Sequence, residues 1–325
     1  MAQMSLYLFV SGGLSLLFAL FFHVAYTTML AQRNGIAALR LAPAGLAGAA
    51  AGGTATMTIG GGSDGAGRAR WGEQTAMVGT LALVGTWVGW VLLALSLITR
   101  AILLGRGPWG SMFEFSVAFA FGITSGYLYL QRRYPLRALG FIPTGVASFL
   151  LLYAFSLLLF LSVPGSTTVA TFEPLVPALD NAPLLTIHVA MAMISYGIFS
   201  VSFAAAVGYL VQGRSDRFAW LPARKTLDEV AYRSVIIGFP IFATMIILGS
   251  YWASIAWGAY WSWDPKETAA LVTWLIYAVY LHARNARGWA GRPAALILVI
   301  GFGAIMFTFF GNLFFNGLHA YSGLS

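Results

Sequence analysis

Charged residues are spread so thinly along this chain that they leave runs long enough to cross a lipid bilayer. Apart from the Gly/Ala-rich stretch 41–63, the longest uncharged runs are 1–32, 74–99, 115–131, 138–172, 181–213, 234–263, 268–283 and 293–325. A spanning helix needs about 20 mostly apolar residues, so most of these runs are ample and the two shortest borrow a residue or two from their flanks. The sequence predicts an all-α polytopic membrane protein with about eight transmembrane helices, near 6–28, 76–98, 112–131, 139–162, 184–212, 234–256, 265–284 and 294–315. The composition agrees, at 59% hydrophobic and 9% charged against about 25% charged for a soluble domain.

The formal net charge of +8 is an orientation signal. Lys and Arg are retained on the cytoplasmic side of short membrane loops. Alternate connections hold 15 and 3 of these residues, the poor set being Arg100, Arg106 and Lys266. The rich set is therefore expected to be cytoplasmic and both termini extracytoplasmic. No nucleic-acid partner is expected, only membrane lipid around the spans. With no cysteine, the chain has no disulfide, no thiolate metal site and no thiol nucleophile of its own. The first helix has no basic residue before it and reads as a retained span.

Residues 31–74, rich in Gly and Ala, are expected to form a flexible cytoplasmic linker, and 213–233 a cytoplasmic loop with a short surface helix. No internal repeat points to an inverted-repeat transporter.

The chemically informative stretch lies between the sixth and seventh spans, in an extracytoplasmic loop expected over 252–267. Asp264 suits an N-cap, Pro265 the first helical position and Glu267 a capping box, so these residues would start a helix whatever the function. Trp252, Trp257, Tyr260, Trp261 and Trp263 fall within twelve residues. Single aromatics anchor helices at membrane interfaces, but five together offer the flat apolar surface a large planar ligand needs.

Four histidines complete the inventory. His188, one turn into the fifth span, and His319, after the eighth, share the face of the tryptophan loop. Two neutral imidazoles at one place suit the axial positions of a haem iron. His282 lies 17 residues beyond Pro265, about 25 Å along the helix at about 1.5 Å per residue, so it cannot join them. It reads either as an interfacial polar residue or as a separate site. His23, near the inner end of the first span, reads as a hydrogen-bonded packing residue.

The run Trp257-Gly-Ala-Tyr-Trp-Ser-Trp-Asp-Pro-Lys-Glu-Thr-Ala-Ala-Leu271, continuing to Tyr280-Leu-His-Ala-Arg284, resembles the tryptophan-rich WWD signature of the CcsA/ResC (CcsB-type) proteins of system II cytochrome c biogenesis. The resemblance extends to His188 with Ser195-Tyr-Gly197, to Gly317-Leu-His-Ala-Tyr321 and, more weakly, to Pro108-Trp-Gly-Ser-Met-Phe-Glu114. CcmC and CcmF share the tryptophan core, but Asp-Pro-Lys-Glu-Thr and Tyr-Leu-His-Ala-Arg favour CcsA.

The resemblance implies a multi-pass protein of the cytoplasmic or thylakoid membrane, one subunit of a cytochrome c synthase (haem lyase). It would receive haem b, pass it across the membrane and present it to apocytochrome c for thioether attachment at Cys-x-x-Cys-His. His188 and His319 match the family's external haem ligands. His282 matches its transmembrane ligand, whose opposing histidine comes from a ResB-type partner, expected here as a separate subunit. Trp257, Trp261 and Trp263, with Tyr260, Asp264 and Lys266 beside them, are the expected haem contacts. The rival readings are a small-molecule permease, which would place more polar groups at mid-membrane, and a CcmC/CcmF-type haem chaperone without synthase activity.

Overall fold

The computed structural model describes residues 2–41, 63–161, 182–213, 216–311, 314–315 and 317–319. These residues are folded into eight long α-helices: α1 Ala2–Leu41, α2 Ser63–Leu104, α3 Met112–Gln131, α4 Phe141–Leu161, α5 Ala182–Gln212, α6 Arg224–Ala256, α7 Pro265–Arg287 and α8 Arg292–Phe310. A 3-10 turn, Arg137–Leu139, precedes α4. Seven of the eight are long and apolar enough to cross a membrane. The exception is α7, whose uncharged stretch 268–283 is closed in by Lys266 and Glu267 at one end and by Arg284 and Arg287 at the other. It nevertheless packs against α6 and α8 and is tied at both ends. Asp264 at its start bonds His319, beyond the end of α8, and Arg284 near its end forms a two-pronged ion pair with Asp228 in α6, at 2.7 and 2.5 Å.

Helices reach further than the apolar runs alone indicate. The expected linker 31–74 is helical over 31–41 and 63–74, each stretch continuing a helix already nucleated in an adjoining span, with Ala, Leu and Arg favouring it over 31–41. Residues 42–62 lie outside the described residues. The tryptophan loop shortens from 252–267 to 257–264, since α6 continues through Trp252 to Ala256. Similarly, the surface helix expected within 213–233 is the opening of α6, where Glu229 and Arg233 pair across one turn at 2.9 Å.

Helix α1 lies along α2 and α5 along α6; α3 packs among α2, α4 and α5, and α8 against α5 and α7. The most enclosed span is α3, with 78% of its apolar window buried, which makes it the centre of the bundle. Its approach to α5 is set by glycine. A Cβ on Gly197 would collide with the carbonyl of Gly122, and one on Gly126 would lie 2.5 Å from the carbonyl of Gly197. Small residues let the two backbones touch, as is usual where packing inside a membrane cannot rely on water. Several buried hydroxyls are satisfied within their own helices: Thr86 donates to Ala82, Ser116 to Met112, Thr124 to Ala120 and Thr308 to Ala304. Such bonds keep polar side chains tolerable in an apolar medium. The close α3–α5 crossing and the α5–α6 pair fix the start of α3, the start of α5 and the end of α6 around one space.

Candidate functional site

That space is a cavity with an open mouth, at the end of the bundle that carries the tryptophans. Its apolar wall comes from Met112 and Phe115 of α3, Val189 and Met193 of α5, Met245 of α6 and Phe309 of α8. His188, His319, Trp252, Trp261 and Lys266 also line it. Two histidines 131 positions apart in sequence thus share one cavity.

Each histidine is held by its Nδ1. On α5, His188 sets Nδ1 2.8 Å from the carbonyl oxygen of Met245 on α6. A carbonyl only accepts, so Nδ1 carries the proton, and in the neutral ring the lone pair is on Nε2. The imidazole lies over Gly249, whose hydrogen leaves room for it: a Cβ there would lie 2.5 Å from His188 Cε1 and 2.9 Å from Nδ1. The substitution Gly249→Ala should therefore push the ring off Met245 while favouring the helix itself. Losing that buried bond should weaken ligand binding at the cavity by about tenfold, with little change in melting temperature. A titration of the purified variant in detergent checks this; unchanged affinity would show that His188 has room to move.

His319 is held by Asp264, with Nδ1 2.8 Å from Oδ1. The same carboxylate accepts the backbone N–H of Leu318 at 2.6 Å through Oδ2, and that of Lys266 at 2.9 Å through Oδ1. Glu267 closes the capping box by accepting the Asp264 N–H at 3.2 Å. One buried side chain therefore starts α7 and fastens the segment after α8 to it. Burial pushes the Asp264 carboxyl up, but the His319 ring and the two backbone N–H groups outweigh it and hold the group at about 2. Burial lowers the His319 pKa below its ordinary value, against the pull of Asp264. At neutral pH the pair is carboxylate and neutral imidazole, so on this ring too Nδ1 donates and Nε2 bears the lone pair.

The tryptophans divide into two groups. Trp252 is buried and lines the cavity; it meets Trp257 edge to face at 4.7 Å, and Trp257 meets the His319 ring at 4.8 Å and 79°. These two rings cage His319. Trp261 lines the cavity directly, with Trp263 set perpendicular to it at 5.8 Å. Trp263 is 69% exposed and has a left-handed backbone (φ 58°), and Tyr260 is 63% exposed, so both rings face outward at the mouth rather than forming its wall. Lys266 reaches across the cavity, its ammonium 4.9 Å from the centre of the Phe115 ring on α3.

His282 is exposed on α7, far from this cavity. His23 is buried, with Nε2 3.2 Å from Thr86 Oγ1 and its ring against Tyr127. That hydrogen-bonded packing agrees with the reading given to it from sequence.

Sequence reasoning grouped Trp252 with the aromatic loop and passed over Met245 and Gly249. The signal was present, because 245, 249 and 252 fall at helical spacing on one face of α6.

Residues 109–319 match the family described as cytochrome C assembly protein, a segment that begins and ends on residues lining this cavity. The cytochrome c biogenesis protein CcsA of Guillardia theta is 33% identical over 250 residues, covering 70% of this chain and 80% of the relative. The CcsA of Microcystis aeruginosa is 31% identical over 293 residues, covering 74% and 87%. The solved structure of the cytochrome c haem lyase CcmF superposes with a TM-score of 0.56 at 16% identity, a likeness of fold alone that covers 93% of this chain and 46% of that one. This chain therefore belongs to the cytochrome c assembly protein family and, within it, stands with the CcsA proteins of cytochrome c biogenesis.

Proposed function

We propose that the cavity at the tryptophan end holds haem b, as substrate, between His188 and His319, and presents it to apocytochrome c for thioether attachment. The observation that carries this reading is the matched pair of imidazoles: both line one aromatic-walled cavity, and both have Nδ1 committed to an acceptor of the chain. Nε2 is then the ligating nitrogen on each, and two such ligands make a six-coordinate iron. The donor set fits, with apolar and aromatic walls for a porphyrin face and Lys266 available to a carboxylate.

The chain's part in the reaction is to bind and to orient. Trp252 and Trp257 keep the His319 ring in position, and Asp264 fixes its tautomer. Trp261 packs at the wall, while Trp263 and Tyr260 offer a flat surface at the mouth where an apocytochrome would approach. The thiols that react belong to the apocytochrome, since this chain has no cysteine. Its reduced iron and two vinyl groups are what haem supplies when bound.

In this reading α7 is the eighth span. The arginine-rich loops are cytoplasmic, and the tryptophan end faces the periplasm or thylakoid lumen, as the 15 to 3 distribution of Lys and Arg supports. His282 then lies near the cytoplasmic end of α7, where it would take haem together with a histidine of a ResB-type partner. Val272, Leu275, Val279 and His282 are all exposed and spaced by three, four and three residues, the repeat that suits packing against another helix.

The experiment is an absorbance spectrum of the protein purified from haem-replete cells, alone and with its partner subunit. A bis-imidazole haem spectrum is expected, lost on substitution of either His188 or His319. A colourless preparation would refute the reading and leave the aromatic loop as a membrane anchor.

A further inference from the structure

A second concave feature lies beside the cavity. Helix α3 packs against α2 on one side and α5 on the other, and α2 and α5 leave a groove between them. Ala118 and Gly122 of α3 form its floor, while Ile98 of α2 and Ile194 of α5 stand exposed on its two lips, so it opens sideways toward lipid. Trp109, in the loop before α3, closes one end, and Tyr129 marks the other. From Met112 to Tyr129 the helix covers about 25 Å at about 1.5 Å per residue.

The lining selects a hydrocarbon. Its polar groups between the two ends are already satisfied: Trp90 Nε1 donates to Ser125 Oγ at 2.7 Å, Ser125 donates to the Phe121 carbonyl at 2.7 Å, and Trp109 Nε1 donates to Thr186 Oγ1 at 3.4 Å. A helix, about 10–12 Å across, is too wide, because Ala118 at the bottom of the groove is only 2% exposed. A single acyl chain is narrow enough. One leaflet, half of a hydrocarbon core about 30 Å thick, supplies chains that fit within the length of the groove.

Charge at the Trp109 end selects the headgroup. Glu114, 1% exposed, accepts Arg100 Nε at 2.6 Å and Arg106 Nη1 at 3.2 Å, so two guanidinium groups share one carboxylate and one positive charge is left over. Arg100 is committed further to the Phe113 ring, 5.2 Å away. Arg106 Nη1 also donates to the Gly107 carbonyl at 2.9 Å, but Nη2 has no partner among the described residues. Arg106 is not part of the groove wall; it stands just past its end, beyond the last turn of α2 and two residues before Pro108, which lines the groove.

We infer that the groove binds an anionic phospholipid, with one acyl chain lying along α3 and the phosphate paired with Arg106. A basic residue at the mouth of an apolar cleft between spans suits such a headgroup. Trp109 and Met193 line both the groove and the cavity, so the chain lies against the partition between them and seals the cavity from the bilayer. The site does not depend on what the cavity holds. Glu114 and Arg100 are positioning residues, which fix Arg106 at the end of the groove.

The test reconstitutes the full chain in phosphatidylcholine vesicles in which a small fixed fraction of the lipid, either phosphatidylglycerol or phosphatidylcholine, carries brominated acyl chains. Bromine quenches the tryptophans it touches, and the difference between wild type and Trp109→Phe isolates Trp109. Brominated phosphatidylglycerol should quench Trp109 at an about tenfold lower fraction than brominated phosphatidylcholine, since a hydrogen bond to a charged group is worth about that factor. Arg106→Gln should bring the two lipids level, Arg106→Lys should keep part of the preference, and Ala101→Phe, which fills the groove, should protect Trp109 from both. Equal quenching by the two lipids, quenching by neither, or a preference that survives Arg106→Gln overturns the inference. Mass spectrometry of the wild-type protein extracted from the mixed vesicles needs no variant: it should retain phosphatidylglycerol over phosphatidylcholine, and no enrichment overturns the inference as well.

Discussion

Replacing His188 or His319 by Ala should each abolish cytochrome c maturation, and millimolar imidazole in the medium should partly restore it to each. Both rings line a cavity with an open mouth, so a free imidazole can occupy the space the substitution leaves and offer the iron the same nitrogen. A packing residue is not replaceable in kind, whereas a ligand is. The two variants should differ in detail. His188→Ala removes one hydrogen bond, about 0.5–1.5 kcal/mol, because the Met245 carbonyl lies inside α6 and keeps the N–H of its own helix. His319→Ala removes one of three contacts on Asp264; the Lys266 N–H bond still caps α7, and the Leu318 N–H bond still ties the segment after α8 to it. Each variant should therefore accumulate in the membrane with its fold intact, retain haem less well and hold it at a changed reduction potential. The readout is haem-stained cytochrome c with and without imidazole. Normal maturation in both variants without imidazole would remove the bis-histidine site.

How much of this was legible in the sequence depends on how far apart the partners lie. The spans follow from local composition, and the start of α7 from Asp264, Pro265 and Glu267, whose capping bonds join near neighbours. The second role of Asp264 was hidden, because its partners Leu318 and His319 lie more than 50 positions away and nothing in a capping box announces a second acceptor. The same holds for His188, whose depth and helix were readable but whose hydrogen-bond acceptor is a backbone carbonyl, common to every residue. Helix ends were misjudged where apolar periodicity stops before helix propensity does, as at 31–41 and at the start of α6. The tryptophans illustrate a third case. Their clustering marked the site, but only the fold separates Trp252 and Trp261, on the cavity wall, from Trp257 behind His319 and from Trp263 at the mouth.

If the proposed function holds, His282→Ala should lower the haem content of the complex purified with a ResB-type partner while leaving assembly of that complex unchanged. The residue is exposed, so its loss opens no internal gap, and alanine is the best helix former. What secures this end of α7 lies beside it: Arg284 grips Asp228 through two hydrogen bonds and stacks 4.4 Å over Tyr232, whose hydroxyl bonds Asn285 at 3.2 Å. The stability of the isolated chain should accordingly stay within about 0.5 kcal/mol, the usual range for an exposed position. Any fall in haem then reports ligation rather than folding. Because the residue is exposed, the proposed function draws the second ligand from a partner, and the haem deficit should then appear only in the presence of that partner. Added imidazole should help this variant less than it helps His188→Ala or His319→Ala, since a site closed between two subunits within the membrane is harder to reach than a cavity with an open mouth. Unchanged haem content in the purified complex would return His282 to the role of an interfacial polar residue.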